Sequence, residues 1–392
     1  MAVQLAKRMQ RLGTETAFEV LARAKALEAK GRSVVHLEIG EPDFDTPRNI
    51  VDAGVKALQE GATHYGPSAG LPQAREAFAE HFSRDRGVQV TPEQFVITPG
   101  AKPILYFVIT ALVDEGAEVV YPNPGFPIYE SVIDFVGGKA VPLPLREEND
   151  FRIDHDELRS LTNSNTRLII INSPGNPTGG VLTMEDLEVV AEVAKKNDAW
   201  VLADEIYSHI VYEGEHRSIL EIDGMAERTI VLDGHSKTYA MTGWRLGYGV
   251  MPQDLAPAIA RLMTNVNSCT ASFTQLAGVE ALLGDQSGAE AMVKEFQIRR
   301  DLLVDALNDI PGLRCKKPGG AFYVFPNVEE TGAKAEDFAR TLLDEYGVAS
   351  LAGTSFGRFG AGYLRFSYAN SQDNLREAVT RIRRYVDDLA RA

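Results

Sequence analysis

Cysteine is nearly missing from this 392-residue chain. The two present, Cys269 and Cys315, form no CxxC pair, which excludes a Cys-rich metal site and suits a reducing compartment. The seven histidines show no HExxH or other metal-ligand spacing, so no metal is expected. Positive charge is in deficit as well. With 40 Lys and Arg against 55 Asp and Glu the formal charge is −15, which argues against nucleic-acid partners, because those need clustered cations facing phosphates. No apolar run approaches the roughly 20 residues of a membrane span. The opening stretch MAVQLAKRMQRLGTETAFEV has basic residues but no continuous apolar segment and no small-residue cleavage site. A cytoplasmic protein is the expectation. GxGxxG and GxxxxGK[ST] are both absent, which removes support for dinucleotide and P-loop chemistry.

What is present is an ordinary globular composition, 44% hydrophobic and 24% charged, in a chain long enough for two domains with large cores. Apolar runs at Gln94–Thr98, Ala117–Tyr121, Arg167–Asn172, Trp200–Ala203 and Thr229–Leu232 read as strands. Helical patterns lie around Leu71–Arg86, Ala101–Val113 and Thr183–Lys196. The alternation predicts an α/β fold, its mostly parallel sheet covered by helices on both faces. After about residue 285 the pattern changes to a long charged helix near Ala289–Ile310, short strands near Ala321–Phe325 and Tyr363–Ser367, and a helix near Asn374–Leu389. We therefore expect a large domain over 41–285 and a small α+β domain over 286–392, with residues 1–40 packing on the latter.

In a parallel sheet ligands bind beyond the carboxyl ends of the strands. Several reactive groups fall there. Asp204 ends WVLAD, and Tyr207 follows it. Alone, Asp204 would read as a helix cap. Ser236 and Lys237 follow TIVLDG, with Arg245 eight residues beyond Lys237 and Gly234, Gly243 and Gly247 around them. Arg suits phosphate oxygens, and a partly deprotonated Lys can form an imine. Gly100, Ala101 and Lys102 join a strand to a helix, where free N–H groups favour an anion. RLIIIN runs into SPGNPTGG, a Pro/Gly turn that would hold Asn176 rigidly.

The segments NSPGNPTGG, ADEIY and SKTYAMTGWRLGY, in that order, resemble the class I, aspartate-aminotransferase-like enzymes of pyridoxal-phosphate (PLP) fold type I. IGEPDFDTP, HYGPSAGLPQAR and YLRFS also fit, so the resemblance runs from about residue 14 to the end. It implies an aminotransferase working by two half-reactions. Lys237 would carry PLP as an imine and move the proton at the substrate Cα. Asp204 would pair with the ring N–H, making the ring an electron sink. Tyr207 and Asn176 would hydrogen-bond the ring oxygen. Ser236, Arg245 and the Gly100–Lys102 loop would hold the phosphate, and Phe126 would stack on the ring without the hydrogen bond a Trp could add. Arg365 would grip the substrate α-carboxylate, aided by the Gly40 N–H. Tyr65 matches a Tyr that reaches the phosphate of the partner subunit, which implies a homodimer.

Other PLP chemistries on the same scaffold share these residues, a C–S β-lyase being the nearest rival. A decarboxylase is disfavoured by the Arg365 clamp. A PLP-binding transcription regulator would need a DNA-binding domain ahead of the fold, where only about 35 residues stand. Aspartate with 2-oxoglutarate is the default substrate pair, with alanine, aromatic and branched-chain amino acids open. No residue of the sequence can be placed as the second cation that a dicarboxylic substrate requires.

Overall fold

The apolar runs are strands buried on both faces, and the burial pattern shows why they lack polar alternation. In a computed structural model describing residues 3–391, Ile169, Ile171, Val201, Ala203 and Val231 point into one hydrophobic cluster. Their neighbours Leu168, Ile170, Leu202, Ile230 and Leu232 point into another on the opposite face. Successive side chains of a strand face opposite ways, so a sheet with two dry faces requires apolar residues at every position.

The strands, in chain order, are β1 (Val35–His36), β2 (Phe95–Thr98), β3 (Glu118–Asn123), β4 (Lys139–Pro144), β5 (Thr166–Asn172), β6 (Trp200–Asp204), β7 (Thr229–Gly234), β8 (Gly247–Val250), β9 (Tyr323–Val324), β10 (Val348–Ala349), β11 (Leu351–Ala352) and β12 (Leu364–Ser367). The helices are α1 (Thr16–Glu28), α2 (Arg48–Gln59), α3 (Pro72–Arg86), α4 (Lys102–Leu112), α5 (Ile128–Val136), α6 (His155–Leu161), α7 (Met184–Asn197), α8 (Ala256–Val266), α9 (Ser272–Leu283), α10 (Ser287–Asn308), α11 (Ala335–Asp344) and α12 (Gln372–Leu389). None of these helices is long and apolar enough to cross a membrane.

Seven strands form the main sheet in the order β2-β8-β7-β6-β5-β3-β4. The run β7-β6-β5-β3-β4 is parallel, while β8 is antiparallel to both its neighbours. Two of these strands were not expected. β4 (KAVPLP) carries two prolines and β8 (GYGV) two glycines, residue types that weaken a strand signal. The register sets the working edge: Asn172 pairs with Asp204, and Asp204 with Leu232. Gly247 pairs with both Gly234 and Thr98. The ends of β5, β6, β7 and β2 thus lie side by side with the start of β8.

The second unit has its own cluster, in which Phe296, Leu303 and Leu307 of α10 pack with Phe338 of α11 and Ile382 and Val386 of α12. The antiparallel strands β11-β12-β9 and the pair β1-β10 complete it. The N-terminal segment is shared between the units. Ala24 of α1 packs on Leu343 and Ala349. The sequence reading assigned all of residues 1–40 to the small unit, and this needs correction at the start. Gly13 N–H donates to Ser131 Oγ at 2.9 Å and Arg11 to the Phe135 carbonyl at 3.2 Å, so this stretch lies on α5 of the large unit.

Candidate active site

A cavity of about 550 Å³ opens where the strand ends meet the small unit. Its walls bring together Gly40, Ala101, Lys102, Phe126, Asn176, Asp204, Tyr207, Ser236, Lys237, Arg245 and Arg365. Gly100 lies one residue outside this wall, and Tyr65 is not part of it. Tyr65 is 92% exposed on this chain.

Asp204 is buried at the end of β6 and accepts a hydrogen bond from Tyr129 Oη at 2.6 Å and a longer one from the Ile206 N–H at 3.3 Å. Burial dominates these donors and lifts its carboxyl from 3.8 to about 6. A buried carboxylate with only neutral donors, facing a cavity, is poised for a cationic N–H partner. Asn172, its register neighbour, donates to the Asp204 carbonyl at 2.9 Å and accepts from the Asn176 N–H at 2.8 Å. The strand end and the Pro/Gly turn are thereby locked together.

Lys237, just past β7, is half-buried and donates to the Gly40 carbonyl at 2.5 Å. Burial lowers its ammonium from 10.5 to about 8, with Arg365 and Arg245 adding to the fall and Glu41 opposing it. An amine near 8 is neutral often enough at physiological pH to act as nucleophile and base.

Arg365 of β12 is buried, with its guanidinium 4.5 Å from the Tyr323 ring centroid and 4.8 Å from that of Phe356. Nη1 donates to Asn176 Oδ1 at 3.1 Å, Nη2 to the Glu38 carbonyl, and Nε has no partner. Among the described residues, no carboxylate pairs with this buried cation through its side chain. Such an arrangement costs free energy unless an anion arrives. Tyr207 Oη lies 2.8 Å from Tyr323 Oη, and a Cβ on Gly40 would stand 2.0 Å from that Tyr323 oxygen. Only glycine lets the N-terminal chain pass this close.

At the opposite end of the cavity, Ala101 precedes α4 and has no side-chain cap; Pro103 in its first turn has no N–H, and the Ile104 N–H donates to the Ala101 carbonyl at 3.0 Å. Arg245 adopts φ +55°, a left-handed conformation unusual for a side chain of its size. A Cβ on Gly100 (φ +84°) would lie 2.2 Å from Arg245 Nη2, and one on Gly247 would lie 2.3 Å from the Ala101 nitrogen. Both glycines are required by close approach. Ser236 and Arg245 both line the cavity, and Arg245 lies against the loop that precedes α4.

Lys102 was expected to contribute through its backbone, and its side chain is free to take another course. Its ammonium stands 5.3 Å over the Phe126 ring and pairs with Glu15, at the beginning of α1. Its side chain therefore faces the cavity rather than the phosphate loop. The sequence reading passed over Tyr129, Tyr323, Phe356 and the segment Glu15–Phe18, all of which line the cavity. Tyr129 and Tyr323 stood inside quoted segments or strands, but only tertiary packing distinguishes them from core aromatics.

Known proteins resemble most of the chain. The family model "Aminotransferase class I and II" matches residues 32–382. An aspartate aminotransferase of Pyrococcus horikoshii is 42% identical, with 94% of each chain covered. Aromatic-amino-acid aminotransferase 2 of Thermococcus litoralis is 40% identical, over 91% of this chain and 92% of its own. The solved structure of an aspartate aminotransferase from Thermus thermophilus with maleate superposes with a TM-score of 0.93 at 37% identity, covering 98% of this chain and 100% of that one.

Proposed function

The chain belongs to the class I and II aminotransferase family and is a PLP-dependent amino-acid aminotransferase, and from that premise we propose that aspartate is its preferred donor, with Lys237, Asp204 and Arg365 as its central groups. The observation that carries this assignment of roles is the convergence of an amine, a buried carboxylate and a buried guanidinium on one cavity.

The lining residues fit the cofactor. A buried carboxylate suits the ring nitrogen, a helix terminus with Ser236 and Arg245 suits the phosphate, and the Lys237 amine suits the aldehyde. When bound, PLP supplies a carbonyl that takes up the amino group and a ring that accepts electrons from the substrate Cα. Asp204 would hold a proton on the ring nitrogen, Tyr207 and Asn176 would donate to the ring oxygen, and Phe126 would cover a face of the ring. Lys237 removes and returns the proton at Cα, work for which an ammonium near 8 is suited. Arg365 orients the substrate by its α-carboxylate, with Gly40 beside it. Residues 41–285 and 286–392 act as the two domains that close on the substrate.

The four cations lining the cavity support aspartate. With Lys237, Arg245 and Arg365 assigned, Lys102 remains for a distal carboxylate. Exchange of its Glu15 partner for that carboxylate keeps the charge paired. Tyr65, unused on its own subunit, supports a homodimer in which it completes the neighbouring site. The near-absence of cysteine supports a cytoplasmic location.

A panel of amino donors against 2-oxoglutarate tests the substrate assignment, with Lys102→Met beside the parent enzyme. A charge-assisted hydrogen bond is worth about 1.5–3 kcal/mol, so kcat/KM for aspartate should fall about 10–100-fold while that for alanine stays nearly constant. Equal losses for both donors would remove Lys102 from the side-chain pocket.

A further inference from the structure

The chain has a second cluster of reactive side chains, on the far face of the main sheet. Asp204 turns toward Tyr129, but the next residue, Glu205, turns the other way and accepts from Arg86 Nε at 2.9 Å. Arg86, at the end of α3, also donates to Asp233 at 3.1 Å and pairs with Asp85. Beside this network, and joined to it at Asp85, stand three groups that the catalytic assignment does not use. His81 and Asp85 are one helical turn apart on α3, and His209 lies in the turn after β6. One ligand atom from each can be chosen so that all lie within 4.8 Å of one another.

We infer that His81, Asp85 and His209 form a binding site for a divalent transition-metal ion of the Zn²⁺ class. Two imidazoles and a carboxylate are a borderline-soft donor set that suits such ions and leaves coordination positions for water. His209 Nε2 and Asp85 Oδ2 are 3.4 Å apart. That is about the edge of a tetrahedron built on bonds of ~2.0–2.1 Å. An independent observation comes from His81, whose two ring nitrogens are buried with no well-formed hydrogen bond, the backbone of Leu282 being the one group beside them. Buried polar atoms are almost always paired, and a metal ion would satisfy one of them. The neighbouring guanidinium does not forbid a cation. Arg86 is shared by three carboxylates, Glu205, Asp233 and Asp85, so a single guanidinium leaves the network with surplus negative charge.

No ligand spacing of a recognised kind marks these residues along the chain, because His209 joins the i, i+4 pair on α3 only through the fold. An ion here would tie α3 to the reverse side of the segment 204–209, which carries Asp204 and Tyr207. It takes no part in amino-group transfer, and the site does not depend on which amino acid is preferred.

The test uses untagged holoenzyme, stripped with a chelator and titrated with Zn²⁺ by calorimetry in the absence of amino acids. The expected result is one ion per chain, a raised Tm for the loaded protein, and affinity at least tenfold weaker in His209→Ala, since even outer-shell partners contribute roughly 10–100-fold. His81→Ala should behave alike, but its position on α3 makes folding a concern. His209→Ala, in a turn, decides the matter if His81→Ala is unstable. Absence of binding below millimolar Zn²⁺, or an affinity unchanged in His209→Ala, overturns the site.

Discussion

Tyr129→Phe is the most informative single perturbation of the cofactor face. It removes one oxygen from a fully buried ring and leaves the packing with Phe126 intact. The lost contact is the 2.6 Å hydrogen bond to Asp204. In the cofactor-free protein Asp204 titrates at about 6, against 3.8 for an ordinary aspartate. The folded carboxyl holds its proton more tightly than the unfolded one. Stability therefore falls as pH rises from about 4 to about 6, and above that the cost of the buried charge is about 3 kcal/mol at 1.36 kcal/mol per pH unit. Tyr129 limits this cost by donating to the charged form. A hydrogen bond to a charged group contributes about 1.5–3 kcal/mol and a neutral one about 0.5–1.5. Urea unfolding of the cofactor-free protein should show Tyr129→Phe costing about 1–1.5 kcal/mol more at pH 8 than at pH 5. In an Asp204→Asn background the difference between the two pH values should vanish. An equal cost at both pH values, or a difference that survives in that background, refutes the coupling of Tyr129 to the Asp204 charge.

Arg365→Ala should raise KM strongly for all amino acids alike, and Arg365→Lys should rescue little, because a lysine cannot offer two parallel donors; steady-state kinetics on aspartate and alanine check both. Lys237→Ala should abolish transamination, and turnover retained with the normal cofactor absorbance would contradict its assigned role. The lowered Lys237 ammonium makes a pH prediction of opposite sign to that for Asp204. The unfolded lysine keeps its proton to 10.5 and the folded one only to about 8, so cofactor-free stability should rise between these values, and Lys237→Met should flatten the rise. Tyr65→Phe and Lys237→Ala chains, mixed and reassembled, should regain activity in hybrid dimers with one intact site. No recovery on mixing would contradict a Tyr65 contribution across subunits.

Much of the site was legible before folding was considered, and for local reasons. A strand with two dry faces must be apolar throughout, so TRLIIIN and WVLAD announced themselves and placed Asn172 and Asp204 at their ends. Glycines at 100 and 247 and the turn around Asn176 are demanded by backbone geometry, which sequence records directly. Lys237 and Arg365 were recognisable through the motifs around them. Tertiary structure alone decided the rest. The antiparallel return of β8 puts Arg245 against Gly100, and nothing in GYGV signals its neighbours. Tyr129 is set apart from other core aromatics only by the carboxylate it meets across 75 positions of chain. The place of Lys102 in the sequence spoke only for its backbone; that its side chain pairs with Glu15, from a segment lining the cavity, was decided by the fold. Strand identity and loop strain depend on a few adjacent residues. The ionisation and pairing of a side chain depend on whatever the fold brings within a few ångströms of it, and that distance is not written along the chain.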